Sequence, residues 1–301
     1  MRLNFLILGA QKSASTYLQY CLSQHPDVFI YKDELAIFED PDYENFSEAL
    51  VDSLFADRSE HRLGIKRPSS IGRPEVPERI RRAVPDAKLI AVLRNPVDRA
   101  LSAYFYYMAG SYIPLEDAET GMRNLLQGRY AEDHKRSGEI LEFGKYYKYL
   151  IRYEHFLNAG NLLLIKQEDL LADRQGTFRR VFEFLDVDPG FQPPGQKARR
   201  QAGHYNLISQ RIMRVAGAIS FRKNETNTRA YPKDQLSLRL IGKAMFFGSS
   251  LLSQYVFDRK KPQLSKACKD ALYGYYSDDI AKLEGLTGWD LTSWKGNAPG
   301  R

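Results

Sequence analysis

The sequence predicts an α/β protein: a doubly wound central parallel sheet flanked by helices, with a helical insertion near the C-terminus. Three observations predict it. Short apolar runs at residues 3–8, 62–66, 87–93 and 161–165 read as strands buried on both faces, the kind a parallel sheet requires. Stretches of helical period separate these runs, and that alternation builds right-handed crossovers. The first run passes through a short loop of small and hydroxyl residues directly into a helix start, where free amides and the helix dipole make an anion cradle.

Composition bounds what such a fold can do. The chain has 301 residues, enough for a substantial core, and is read as one domain over residues 1–301. Its hydrophobic content of 43% and charged content of 27% are those of an ordinary globular protein. The formal net charge of +7 suits an anionic ligand, a nucleic acid or a membrane surface, but no basic run is long enough for a nucleic-acid tail. Two cysteines, Cys21 and Cys268, sit in helical contexts and imply neither a disulfide framework nor a metal site. The N-terminal apolar stretch is too short for a signal peptide and runs straight into the loop. No stretch reaches the length of a membrane span, residues 244–257 being broken by Gly, Ser and Gln. A cytoplasmic location is therefore expected.

Taken in order, Gly9 marks the turn after the first strand, and Leu18, Cys21 and Leu22 recur at helical spacing. The loop between them, Gly9-Ala10-Gln11-Lys12-Ser13-Ala14-Ser15-Thr16, supplies a cation and three hydroxyls. It differs from the nucleotide triphosphate loop, which needs a second Gly and a Lys directly before the hydroxyl residue. A short strand is expected at 27–30, a helix at 46–55, a strand at 62–66 ending before Pro68, and a charged helix at 75–84. The strand at 87–93 delivers Arg94 to its carboxyl end, where α/β folds place ligand sites. Asn95 and Pro96 then suit a helix start, with Ser102 about two turns on. Read alone, Arg94 pairing with Asp98 and a packed Ser102 are the alternative to a ligand role.

Together, Gly9-x-x-Lys12-Ser13-x-Ser15-Thr16 and Leu93-Arg94-Asn95-Pro96-Val97-x-Arg99-Ala100-x-Ser102 resemble the paired signature of the PAPS-dependent sulfotransferases. The resemblance implies a P-loop-like fold in which Gln11, Lys12, Ser13, Ala14, Ser15 and Thr16 hold the 5′-phosphosulfate. It also implies that Arg94 and Ser102 hold the 3′-phosphate. The stretch Lys32-Asp33-Glu34-Leu35-Ala36-Ile37-Phe38 is similar to the Lys-Glu-x-x-Phe-Phe segment of the glycan-type branch, which makes Glu34 the general base. Asp33, one residue away, is the alternative alignment. Gly64-Ile65-Lys66-Arg67-Pro68 resembles the family's Lys-x-Pro strand end and brings Lys66 to the reacting centre, although Ser69-Ser70 replace the usual aromatic.

Downstream, residues 140–157 read as one long Tyr-rich helix, 161–165 as a strand and 175–185 as a helix, with Glu168 and Asp169 as capping acids. Lys197, Arg199 and Arg200 follow Pro193-Pro194-Gly195 and match by position and charge the family's basic loop over the nucleotide; surface solvation is the alternative. Residues 206–262 depart most from the family core. Two basic helical segments there suit a substrate lid, a dimer face or a membrane-surface patch at 240–260. Residues 264–294 return to family type.

The implied reaction moves a sulfuryl group from PAPS to a hydroxyl or amine of a small-molecule or carbohydrate acceptor, leaving adenosine 3′,5′-bisphosphate. No metal and no nucleic-acid partner is expected. Two rivals stand: a nucleotide-triphosphate-dependent kinase, for which Asp169 is the weak Mg²⁺ candidate, and a non-catalytic basic protein binding nucleic acid or membrane. His61 and His134 are the reserve candidates for the base; all five histidines otherwise read as structural.

Overall fold

The computed structural model describes residues 1–193, 205–255 and 261–296, so Lys197, Arg199 and Arg200 lie outside the described residues. Five strands, β1 (Phe5–Gly9), β2 (Val28–Ile30), β3 (Arg62–Lys66), β4 (Lys88–Leu93) and β5 (Leu162–Lys166), form one sheet in the order β2-β3-β1-β4-β5. Every pairing in it is parallel. The chain fills one side of β1 with β2 and β3, then crosses to β4 and β5 on the other. The carboxyl ends of β1 and β4 therefore flank the switch point at which such sheets leave room for a ligand. At the centre Phe5 lies beside Gly64, where any side chain would meet the ring: a Cβ on Gly64 would stand 2.3 Å from Phe5 Cε1.

The helices follow in chain order: α1 (Ser15–Leu22), α2 (Glu48–Ser53), α3 (Val76–Ala83), α4 (Pro96–Ala109), α5 (Ala118–Leu126), α6 (Glu139–Glu142), α7 (Tyr146–Leu150), α8 (Glu154–Asn158), α9 (Gln167–Ala172) and α10 (Arg174–Phe184). After the undescribed stretch come α11 (Leu207–Ser220), the short strands β6 (Phe221–Lys223) and β7 (Ala230–Pro232), α12 (Leu236–Tyr255) and α13 (Lys266–Thr287). Contacts group the chain into two compact units. The first holds Met1–Asn95, the described residues from Lys145 to 193 and Asp279–Trp289; the second holds Pro96–Gly144, the described residues from 205 to Asp278, and those from Asp290.

The first unit contains the sheet. One core cluster gathers Phe5 and Ile7 of β1, Ile90 and Val92 of β4, Leu18, Cys21 and Leu22 of α1, and Phe178, Val181, Phe182 and Leu185 of α10. Each of these side chains is buried, and full burial of a Leu or Phe contributes roughly 1.5–3 kcal/mol. His25 belongs to this packing: its ring lies 4.8 Å from the rings of both Phe182 and Phe191, and its Nδ1 accepts from the Asp27 amide.

Two expectations are corrected. Residues 140–157 are not one helix but α6, α7, a single 3₁₀ turn at Ile151–Tyr153 and α8. The break falls at Gly144 and Lys145. A Cβ on Gly144 would stand 2.8 Å from the Tyr276 ring, and the Asp279 carboxylate restarts the helix by accepting from the Tyr147 and Lys148 amides at 3.0 and 2.9 Å. Between the helices of the 206–262 segment lies an antiparallel ladder, β6 with β7, that the sequence did not announce. Its strands have three residues each, too few for a period of two to register. The Asn224 side chain closes the turn, accepting from the Thr228 and Arg229 amides at 2.8 and 2.9 Å.

Candidate active site

The loop from β1 to α1 is built for an anion. Lys12 and Ala14 both take left-handed backbone, with φ of 68° and 70°, so the chain curls and turns successive amides inward. Such a conformation costs about 1–3 kcal/mol for a residue with a Cβ and persists only where the surroundings impose it. Ala14 is the N-cap of α1 and offers no side-chain acceptor, so the first amides of the helix have no intrahelical or capping partner. Ser13 Oγ and Gln11 Oε1 are buried and make no hydrogen bond among the described residues. Buried polar atoms are normally satisfied, so orphaned ones in an uncapped cradle point to a polar ligand. Gly9 makes the approach possible: a Cβ there would lie 2.7 Å from Ile71 Cγ2 and 2.9 Å from the Pro68 carbonyl.

Three cations converge on this loop. Lys66, the last residue of β3, is buried at 3% exposure and donates to Thr16 Oγ1 at 3.1 Å. The same ammonium meets Glu34 Oε1 at 2.9 Å, although the Glu34 side chain is 43% exposed. Arg94, at the end of β4, donates from Nη1 to the Lys12 carbonyl at 3.1 Å. Lys12 itself has its ammonium pKa lowered, first by burial and then by the Arg94 guanidinium, while the Glu34 carboxylate pulls the other way. A basic group that is buried beside a second cation calls for an anion.

Of the residues singled out in the sequence, Gln11, Lys12, Ser13, Ala14, Ser15, Thr16, Lys66, Glu34 and Arg94 all lie in the first unit, around the carboxyl ends of β1, β3 and β4. Ser102 belongs to the second unit, on α4. Asp33 is exposed next to Glu34. His61 directly precedes β3, at the end of that strand opposite Lys66, and a five-residue strand separates the two by roughly 13–17 Å. His134 lies in the second unit, edge-on to Tyr130. Asp169 sits in the first turn of α9 with Lys166 Nζ 3.6 Å away.

The residue missed was Glu39. It is fully buried, and its carboxylate accepts from Arg67 Nε at 3.1 Å and Nη2 at 2.9 Å, from Ser69 Oγ at 2.8 Å and from Ser70 Oγ at 3.2 Å. The two serines that depart from the family pattern after Pro68 thus bind a carboxylate. A signal existed: Lys66 and Arg67 are adjacent at a strand end, so their side chains leave on opposite sides and call for two separate anions. Tyr146 was also missed. Its hydroxyl donates to the Arg94 carbonyl at 2.8 Å and accepts from the Arg94 amide at 3.4 Å, which fixes the backbone of that residue.

A parallel sheet whose first strand feeds an uncapped, cation-lined loop defines an α/β protein of the phosphate-loop type. More narrowly, the chain belongs to the sulfotransferase family, whose domain model matches residues 3–207. Heparan sulfate glucosamine 3-O-sulfotransferase 3A1 of Mus musculus is 30% identical over 184 residues, 60% of this chain and 45% of that protein. Bifunctional heparan sulfate N-deacetylase/N-sulfotransferase 2 of Homo sapiens is 26% identical over 194 residues, 62% of this chain and 22% of that protein. The matched stretch spans under half the length of either relative. In fold, the chain is similar to a sulfotransferase from Alicyclobacillus acidocaldarius, with a TM-score of 0.67 and 21% identity over 98% of this chain and 99% of that one.

Proposed function

We propose that this sulfotransferase takes its sulfuryl group from PAPS and passes it to a hydroxyl or amine of a glycan or small-molecule acceptor. The observation that carries the reading is the Lys66 ammonium, shared between Thr16 Oγ1 at the phosphate-loop helix and Glu34 Oε1 at the solvent edge. It joins an anion cradle to a carboxylate over one hydrogen bond and one ion pair, which is the span a group transfer must bridge.

PAPS, when bound, supplies an activated sulfuryl group on a phosphate leaving group. The chain's own residues do the rest. The curled amides after Gly9 and the orphaned Ser13 and Gln11 side chains receive the phosphate, and Lys12 meets the charge that grows on it. Arg94, fixed by Tyr146 and bonded to the Lys12 carbonyl, stands at the switch point to take the second phosphate. Lys66 faces the sulfuryl oxygens. Glu34, with its side chain 43% exposed, takes the acceptor's proton, and general-base catalysis of this kind is worth about 10²- to 10⁴-fold. The heparan sulfate relatives favour an amino sugar acceptor as the first class to try.

An acceptor panel with labelled PAPS tests the reading, followed by mass spectrometry for the gain of one sulfuryl group. Transfer to a glycan or small hydroxyl compound is expected. If adenosine 3′,5′-bisphosphate fails to raise the melting temperature while ATP with Mg²⁺ raises it, the kinase reading replaces this one.

A further inference from the structure

We infer that α12 is a membrane-surface helix, which docks the second unit onto an anionic lipid bilayer. In the α11–α12 pair small residues take the most buried places of the seam, with Leu238 and Met245 half-buried on the same face of α12. Among the described side chains, the fully buried positions of α12 are Gly242 and Ser249, and those of α11 include Ala216 and Ser220. The backbones approach so closely that a Cβ on Gly242 would lie 1.7 Å from Ser220 Oγ and 2.9 Å from the Ala216 carbonyl. Close approach at small residues leaves a further set of bulky side chains on the outer face.

On α12 the outward face is apolar. Leu236, Leu240, Phe247 and Leu251 are 63%, 55%, 68% and 39% exposed, and their spacing of four, seven and four residues puts them in one stripe opposite Gly242 and Ser249. Of the fifteen large apolar side chains exposed among the described residues, ten lie between Leu207 and Leu251, so the apolar surface is concentrated rather than scattered. A helix of 20 residues is about 30 Å long, room for the stripe to lie flat along an interface.

Charge selects the occupant. No Asp or Glu occurs in α11 or α12, while Arg239 and Lys243 border one edge of the stripe on α12 and both are exposed. An apolar stripe edged by cations matches acyl chains below anionic headgroups. A second copy would set Arg239 and Lys243 against their own like charges. No helix among the described residues is long and apolar enough to cross a membrane, so α12 would lie on the bilayer rather than span it.

The test is co-sedimentation of the full chain with phosphatidylcholine vesicles containing about 30% phosphatidylserine, against phosphatidylcholine alone. The wild type should pellet with the anionic vesicles only, and release as salt rises from about 0.1 to about 0.5 M. Phe247→Glu and Leu240→Glu, both on the exposed face, should cut the bound fraction by about 10-fold or more while keeping the wild-type melting temperature. Leu171→Glu, an exposed apolar position on α9, should bind as the wild type does. The inference is overturned if the wild type stays in the supernatant with anionic vesicles, or if both α12 variants still pellet. It is equally overturned if sedimentation velocity shows a wild-type dimer, without vesicle binding, that Phe247→Glu dissociates.

Discussion

The loop after β2 has two halves, and the contrast between them separates chemistry from architecture. Glu34 and Glu39 are five residues apart, and each meets a cation from the end of β3, Lys66 for the one and Arg67 for the other. In the second half everything is fixed. Glu39 is buried under four hydrogen bonds from Arg67, Ser69 and Ser70, and Arg79 of α3 donates to the Phe38 carbonyl at 3.1 Å and to Asp40 at 2.7 Å. In the first half Lys32, Asp33 and Glu34 are exposed, and Glu34 meets the Lys66 ammonium at 2.9 Å. A carboxylate that must meet a substrate has to keep an open side. A carboxylate that must hold a loop is better with none. Glu39 fixes the loop that carries Glu34, the proposed base.

That division sets the size of each expected effect. Glu39→Ala should be the most damaging, because it strands the Arg67 guanidinium and two hydroxyls: a loss of about 3–5 kcal/mol, read by denaturant unfolding. Lys12→Ala should lose nucleotide affinity and turnover together, since one charge serves the bound phosphate before and during transfer. It should also raise the stability of the nucleotide-free protein near neutral pH. The Lys12 pKa is lower in the folded chain than in the unfolded one, so the unfolded chain holds the proton more tightly. Stability from this group therefore rises with pH through the window between the lowered value and 10.5, and the advantage of Lys12→Ala should shrink there. Melting curves of both proteins against pH read it directly. Arg94→Ala should weaken PAPS by roughly 2 kcal/mol in calorimetry and leave ATP nearly untouched, as ATP has no 3′-phosphate. Smallest of all, Asp33→Asn should change turnover and stability by less than about 0.5 kcal/mol. If Asp33→Asn instead abolishes turnover, the division of the loop is displaced by one residue.

How much of this was legible in the sequence depended on how local the constraint is. The sheet was legible because buried parallel strands need unbroken apolar runs, and residues such as Leu89, Ile90, Ala91, Val92 and Leu93 have no other use. The cradle was legible because a strand, a loop and a helix start must follow one another directly, so Gly9, Lys12 and Thr16 carry a fixed spacing. The left-handed backbone at Lys12 and Ala14 was not, because neither residue prefers it and only the surrounding loop enforces it. Glu39 was hidden for a different reason: its partners come from a separate strand end, and its neighbours Asp40, Pro41 and Asp42 read as an ordinary acidic turn. That the stripe of α12 faces outward was beyond reach, since an outward apolar stripe and a buried one have the same period.

The central claim is that Glu34 moves a proton and Lys12 with its loop binds the nucleotide, as separate tasks. Glu34→Gln preserves the shape of the side chain and removes its charge, and with it the ability to take the proton. On one preparation of this variant, adenosine 3′,5′-bisphosphate affinity should stay within about 2-fold of wild type, while sulfuryl transfer from labelled PAPS falls by about 10²-fold or more. Wild-type turnover in Glu34→Gln, with affinity intact, would contradict the account.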